Sequence, residues 1–271
     1  MRFKGKQAFI TGSSRGIGRG IALKLAQEGA TIGVHYFRNH EAAADTLAQV
    51  RELGSDGLIV QGDVSKVDDL RRMFAEIRDT FETLDIFVSN ARGELATFYE
   101  PPLDLTLDQW TTAFDTQARA FFIGAKEAAA LMPRGGRILA ITFAPGARTG
   151  SWQPWIAMGS AKAALESTCR YFAVALASRA ITVNAISPGL TEDSVVNTLP
   201  EEAVQLARAW HQRWTPMGRL GTPADVGNVA ALLCSDEAAW ITGQVVCADG
   251  GASLMDTVLP LELQLPRMVA V

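Results

Sequence analysis

The chain has 271 residues, 48% apolar and 20% charged, which is ample for one large core and for a single domain spanning residues 1–271. Its formal net charge of −4 supplies no cationic excess for a phosphate backbone, which argues against nucleic acid as a partner. Three scattered cysteines, Cys169, Cys234 and Cys247, argue against a disulfide framework and a metal cage, so no metal is expected and a reducing cytoplasm fits best; no apolar run reaches the roughly 18 residues that a membrane span needs.

Short β-branched or apolar runs alternate with longer helical patterns. The first strand is expected over Gln7–Thr11 and the first helix over Ile17–Glu28; strand Thr31–Tyr36, helix Glu41–Leu53, strand Gly57–Gln61 and helix Val67–Phe81 follow. Gly29 and Gly54 stand just past two of these helices, where a left-handed cap favours glycine. A strand over Ile86–Ser89, one long helix over Leu107–Met132, a strand over Arg137–Ile141, a helix over Ala157–Ala177 and strands over Thr182–Ile186 and Val245–Ala248 complete the pattern. Such repetition implies an α/β, Rossmann-type doubly wound parallel sheet of about seven strands, with helices on both faces and right-handed crossovers. Residues 190–217 break the rhythm with a polar, proline-bounded stretch of helical pattern, which reads as an insertion able to cover a site as a lid.

Between the first strand and the first helix lies Thr11-Gly12-Ser13-Ser14-Arg15-Gly16-Ile17-Gly18. Gly12 permits the turn, Gly16 lets backbone approach a pyrophosphate, and Gly18 lets the helix pack close to the sheet. The helix N-terminus turns free N–H groups and its positive dipole towards the phosphates, so Ser14, Arg15 and Ile17 join the three glycines as candidate cofactor-binding residues. A glycine cluster alone marks only a turn; its coincidence with a strand end and a helix start makes it a dinucleotide cradle. The second strand ends in His35-Tyr36-Phe37-Arg38-Asn39, with no acid to accept from a ribose 2′-hydroxyl. Arg15 and Arg38 could both face a 2′-phosphate, although each alone could equally be a solvated surface residue; together with the missing acid they make NADPH the expected cofactor.

The spacing Thr-Gly-x-x-x-Gly-x-Gly resembles the short-chain dehydrogenase/reductase family, and further marks follow in that family's order. These are Asp63-Val64, Ser89-Asn90-Ala91, Lys162, the run from Asn184 to Pro188-Gly189, and Gly243-Gln244 through Asp249-Gly250-Gly251, so the resemblance covers about residues 4–255. It implies that Asp63 and Val64 lie at the adenine, that Asn90 and Ala91 line the adenosine ribose, that Lys162 hydrogen-bonds the nicotinamide ribose, and that Pro188 and Gly189 contact the cofactor. It also implies a homodimer or homotetramer. Within the family, the stretches from Thr80 to Val88 and from Lys162 to Leu176 are most similar to the type III enoyl-acyl-carrier-protein reductases, which carry Tyr-x6-Lys in place of Tyr-x3-Lys.

Against that resemblance, Trp155 stands where the Tyr-x6-Lys pattern has its tyrosine, and Met158 where Tyr-x3-Lys has it. Gln117 occupies the usual Asn position, Thr142 or Phe143 the usual Ser, and Arg92 replaces a glycine or alanine. An indole N–H can donate a hydrogen bond but cannot give up its proton near neutral pH. Ketone reduction leaves an alkoxide that needs an acid, whose loss costs roughly 10²–10⁴ in rate. Conjugate reduction instead spreads charge into an enolate that solvent can protonate, and one donor to that oxygen contributes about 3 kcal/mol. The catalytic candidates are therefore Lys162, Trp155, Thr142, Gln117 and Arg92, acting on a small-molecule or carrier-bound acyl substrate with a conjugated carbonyl.

Plainer readings stand beside these. Trp155 could be a packing plug, Met158 pocket lining or core, and Arg92 a loop arginine facing solvent. His211 could enter as an acid from the lid, whereas Tyr36, Tyr99 and Tyr171 do not fall at the family's tyrosine position. Two other functions stay open: non-redox enolate chemistry such as isomerisation, cyclisation or elimination, and a cofactor-binding partner without catalysis. Substrate walls are expected from Glu94–Pro102, Ala144–Trp155 and Leu190–Met217, with the tail Leu259–Val271 unassigned.

Overall fold

The computed structural model describes residues 1–143, 153–192 and 201–255. Its strands are β1 (Gln7–Ile10), β2 (Thr31–Tyr36), β3 (Gly57–Gln61), β4 (Ile86–Ser89), β5 (Arg137–Ile141), β6 (Thr182–Pro188) and β7 (Val245–Ala248). They form one seven-stranded sheet in the order β3-β2-β1-β4-β5-β6-β7, every pair parallel. The order reverses at β1, which lies between β2 and β4, and the crevice beyond that reversal is where a doubly wound sheet takes its ligand.

Helices α1 (Gly16–Gln27), α2 (His40–Glu52) and α8 (Pro223–Cys234) bury Ile21, Leu25, Val50, Val226 and Ala230 on one side of the sheet with Ile10, Ile32 and Val34. Helices α3 (Val67–Phe81), α5 (Ala120–Leu131) and α6 (Ile156–Leu176) cover the other side, where Phe9, Phe74, Phe87 and Phe121 lie in the same core. The amphipathic spacing is plainest in α3, where Leu70, Met73, Phe74, Ile77 and Phe81 are buried at helical intervals. Asp68 and Asp69 in its first turn and Arg78 in its last oppose the helix dipole. Helix α8 starts on a reciprocal cap between Thr222 and Asp225 with proline in its first turn. Gly29 and Gly54, just beyond α1 and α2, take φ of +100° and +80°, the left-handed conformation their positions suggest.

Two elements differ from the periodicity reading. The expected continuous helix over 107–132 is divided into α4 (Leu107–Phe114) and α5 by a π-helical turn at Asp115–Arg119. The extra residue shifts the helical phase by ~100°, but Ala120–Leu131 is apolar at most positions, so periodicity does not record the shift. Strand β6 runs on to Pro188, which pairs with Ala248 at the sheet's margin. Of the expected lid, α7 (Glu201–Trp214) is a helix with Val204 buried, while residues 193–200 lie outside the described residues.

Candidate functional site

The cradle is built from the end of β1. Gly12 has φ +68°, and a side chain there would meet Ala91 Cα at 2.8 Å. Gly18 approaches closer still: a Cβ would sit 2.3 Å from the Gly12 carbonyl oxygen and 2.5 Å from Asn90 Nδ2. Asn90 fastens this turn by donating from Nδ2 to the carbonyls of Thr11 (2.9 Å) and Gly12 (3.1 Å), while Thr11 Oγ1 accepts the backbone N–H of Asn90 and Ala91. No side chain caps the start of α1, which leaves its first N–H groups to a phosphate. Ser14, Arg15, Gly16 and Ile17 lie on this rim, with Arg15 exposed.

Beneath the cradle lies a residue the sequence does not reveal as structural. His35 is buried; its Nδ1 accepts the Gly12 N–H at 2.8 Å, which leaves Nε2 to donate to the Gly62 carbonyl at 3.0 Å. Burial pushes its pKa down to about 4, with the Gly62 bond and the Asp63 and Asp69 carboxylates opposing that fall. Asp63 closes its own turn, accepting from Ser65 N–H, while its N–H donates to Asp69; Val64 is buried in the core. At the far side Gly189 follows Pro188 against Asp249, whose Cα would be 2.9 Å from an added Cβ.

The second half of the site lies between the end of β5 and the first turns of α6. Lys162, 6% exposed, donates to the Ile141 carbonyl at 2.5 Å. Burial, and then the Arg92 cation, push its ammonium down to about 7, against an upward pull from Glu166. Arg92 reaches the carbonyl of Gly93 (2.9 Å), and its own pKa is lowered by burial and then by Arg15. Arg15, Arg92 and Lys162 thus act on one another electrostatically, each neighbouring cation favouring loss of the next group's proton. Thr142 donates its hydroxyl proton to the buried Glu166 at 2.5 Å. Gln117, in the π turn, donates to the Ala91 carbonyl at 3.3 Å and so ties α4 to the Asn90-Ala91 turn.

Trp155 ends the short 3-10 turn that leads into α6 and is 6% exposed. Its ring meets Phe98 at 5.1 Å, Phe143 at 5.5 Å and Tyr99 at 5.6 Å between centroids. Met158 is buried in the same cluster, with Trp110 and Phe114 of α4 packed against it.

The structure therefore brings Lys162, Arg92, Thr142 and Gln117 around the β4 and β5 ends, and sets Trp155 in an aromatic wall beside them. Arg38 is turned elsewhere: it pairs with Glu94 at 2.8 Å and lies 4.6 Å over the Phe37 ring. His211 is half-buried on α7, with Nδ1 3.4 Å from Thr215 Oγ1, and burial lowers its pKa. His40 is edge-on to Tyr36 at 5.5 Å. Sequence reasoning missed the structural parts played by two residues, His35 and Glu166. Glu166 lies one helical turn beyond Lys162, a spacing that put it within reach. Among the described residues no group of His, Cys, Asp and Glu could hold a metal, and no helix is long and apolar enough to cross a membrane.

A glycine cradle at the point where strand order reverses defines a dinucleotide-binding α/β protein. The model of the enoyl-(acyl carrier protein) reductase family matches residues 12–253. The chain belongs to that family of short-chain dehydrogenases/reductases. Among its relatives, 1-cyclohexenylcarbonyl-CoA reductase of Streptomyces collinus is 36% identical over 249 residues, 92% of this chain and 87% of that protein. Tetrahydroxynaphthalene reductase PfmaG of Pestalotiopsis fici is 32% identical over 267 residues, 92% of each chain. The solved structure of LugOII, a promiscuous reductase that catalyses keto-reduction at C1 in lugdunomycin biosynthesis, superposes with a TM-score of 0.85 at 33% identity, covering 94% of this chain and 100% of that one. The angucycline C-6 ketoreductase LanV with bound NADP gives a TM-score of 0.84 at 31% identity, covering 94% and 98%.

Proposed function

We propose that this chain is an NADPH-dependent reductase that adds hydride to the β-carbon of an α,β-unsaturated acyl thioester or a related conjugated carbonyl. Family membership and reductase relatives support the reductase class. NADP in related structures and the acid-free end of β2 support the cofactor. One observation carries the choice of substrate: the turn of α6 that leads to Lys162 presents Trp155 and Met158, an indole and a thioether, in place of a phenol. The 1-cyclohexenylcarbonyl-CoA reductase similarity, to a protein whose name describes reduction of a conjugated thioester, agrees with that choice.

The chain's own groups fit the cofactor. Gly12, Ser14, Arg15, Gly16, Ile17 and Gly18 hold the phosphates at the α1 N-terminus, and Arg15, joined by Arg38 once it leaves Glu94, meets the 2′-phosphate. Asp63 and Val64 lie at the adenine, Asn90 and Ala91 along the adenosine ribose, and Pro188 and Gly189 at the nicotinamide side. Lys162 keeps two of its three N–H donors for the nicotinamide ribose after its bond to Ile141. The bound nicotinamide supplies hydride. Arg92 and Lys162, partly buried and buried among protein dipoles, stabilise negative charge as it moves onto the carbonyl oxygen. Thr142 is engaged by Glu166, so it orients the Lys162 turn while Arg92 and Lys162 polarise the substrate. Gln117 holds Ala91, and with it the Arg92 turn, in place.

The test is NADPH consumption by purified protein with crotonyl-CoA, 1-cyclohexenylcarbonyl-CoA and the ketone 1-tetralone. Loss of NADPH absorbance with the thioesters and none with tetralone is expected. Turnover of tetralone alone sinks the conjugated substrate and keeps a reductase. Product from a thioester at constant NADPH selects non-redox enolate chemistry, and NADPH binding without any turnover selects a silent partner.

A further inference from the structure

Two side chains a helical turn apart on α6 are both held by the end of β5. Lys162 donates to the Ile141 carbonyl, and Thr142, the next residue of the strand's end, donates its hydroxyl to Glu166. Thr142 is tied on its other side as well, since its backbone N–H donates to the Ile186 carbonyl of β6 at 2.8 Å. Thr142, Lys162 and Glu166 are all buried. A carboxylate so enclosed is unfavourable unless it accepts a hydrogen bond and feels a cation, and here it does both. Of the titratable groups that act on Lys162, Arg92 of the β4–α4 loop lowers its pKa, whereas Glu166 and Cys169 of α6 raise it. Burial pushes the Cys169 thiol up to about 12, so it stays neutral, and Glu166 is the anion of this set.

We propose that Glu166 is a positioning residue for Lys162: by accepting the Thr142 hydroxyl it locks α6 onto the end of β5, so that Lys162 rests on the Ile141 carbonyl and keeps its other N–H groups for the nicotinamide ribose and the substrate oxygen. Adjacent residues of one strand bonded to side chains four apart on one helix form a clasp, and neither element can slide or turn without breaking it. The carboxylate acts a second time through its charge. Burial and Arg92 both drive Lys162 towards the neutral amine, a weaker partner for an enolate than the ammonium, and Glu166 opposes them. The same bond withdraws the Thr142 hydroxyl from the substrate. The oxygen is left to Lys162 and Arg92, an arrangement suited to charge spread over an enolate.

The inference rests on the reductase reading above and deepens it, and one arm of its test needs no turnover. In the free protein the Lys162 ammonium is followed against pH by NMR with carbon-13 lysine, its signal assigned by its loss in Lys162→Arg. Glu166→Gln keeps the shape and an acceptor for Thr142 but removes the charge, so the Lys162 midpoint should fall by about one pH unit. In thioester reduction at saturating NADPH the basic limb of kcat should move down by the same amount, with the wild-type rate below the limb and ~10-fold less above it. Glu166→Asp keeps the charge and shortens the reach to Thr142 by one methylene. Its limb should stay at the wild-type pH while the plateau kcat falls ~10-fold, and this variant decides the matter should Glu166→Gln fail to fold. Midpoints and profiles of Glu166→Gln that superimpose on wild type, or Glu166→Asp at full kcat, overturn the role of Glu166 and leave the reductase intact. A wild type inert towards every thioester and ketone, yet binding NADPH, overturns the reductase reading, while the lysine titration still decides whether Glu166 holds Lys162 charged.

Discussion

The two halves of the site are held by different physics. Around the cradle, Asn90, Thr11 and His35 hold backbone groups by hydrogen bonds, and the glycines admit contacts that no Cβ could share. Around Lys162 the wall is aromatic surface, Trp155 against Phe98, Tyr99 and Phe143, with the Arg92 guanidinium and the easily deprotonated Lys162 ammonium beside it. A polar scaffold of that kind fixes one ligand geometry and tolerates little change, whereas an apolar wall can exchange side chains of similar volume and retain its fold. Chemistry is therefore free to diverge on the second half while the first keeps its nucleotide.

The sharpest way to break the contrast is Gly18→Ala. Its methyl would lie 2.3 Å from a backbone oxygen, which no rotamer change relieves, and the expected cost is about 3 kcal/mol, or ~100-fold weaker NADPH binding by calorimetric titration. Unchanged affinity would mean that the turn yields freely.

His35→Leu comes next. It leaves the Gly12 N–H buried without its acceptor, which should lower stability by about 1–3 kcal/mol. The wild-type protein carries a related pH signature. The folded imidazole titrates near 4 against an ordinary 6.5, so the unfolded chain binds more protons between those values, and stability rises with pH across that window. On acidification from 6.5 to 4 the melting temperature should fall more steeply in wild type than in His35→Leu, and parallel curves would refute the assignment.

Arg38→Ala should give the smallest effect. An exposed pair with Glu94 contributes under ~1 kcal/mol, so the melting temperature should barely change, while preference for NADPH over NADH should drop about tenfold if Arg38 turns to the 2′-phosphate. A constant preference would leave that task to Arg15.

What the sequence made legible follows the same division. Strands β2, β3, β4, β5 and β7 and helix α3 lie where periodicity places them, because a buried parallel sheet needs apolar runs and α3 needs a stripe. The cradle was legible because its glycines answer a local steric demand. Tyr99 falls in a stretch expected to wall the substrate, but its packing on Trp155 joins residues 56 apart in the chain, and no local pattern records that contact. Thr142 was read as a substrate contact by position alone; its proton goes to Glu166, a partner fixed by how α6 lies on β5. The identity of His35 was visible, but its burial was not, since a histidine beside an exposed Phe37 and Arg38 reads as surface.

The π turn between α4 and α5 has a rotational consequence. Each residue of an α-helix advances the chain by ~100° about its axis, so the one added residue sets the phase between two walls. Upstream, Trp110 and Ala113 turn to the aromatic cluster; downstream, Phe121, Ala125 and Ala128 turn to the core, with Gly124 so near Phe87 that an added Cβ would meet its ring at 2.7 Å. Wound as one uninterrupted spiral, the segment would satisfy one wall and swing the other roughly a quarter-turn out of alignment.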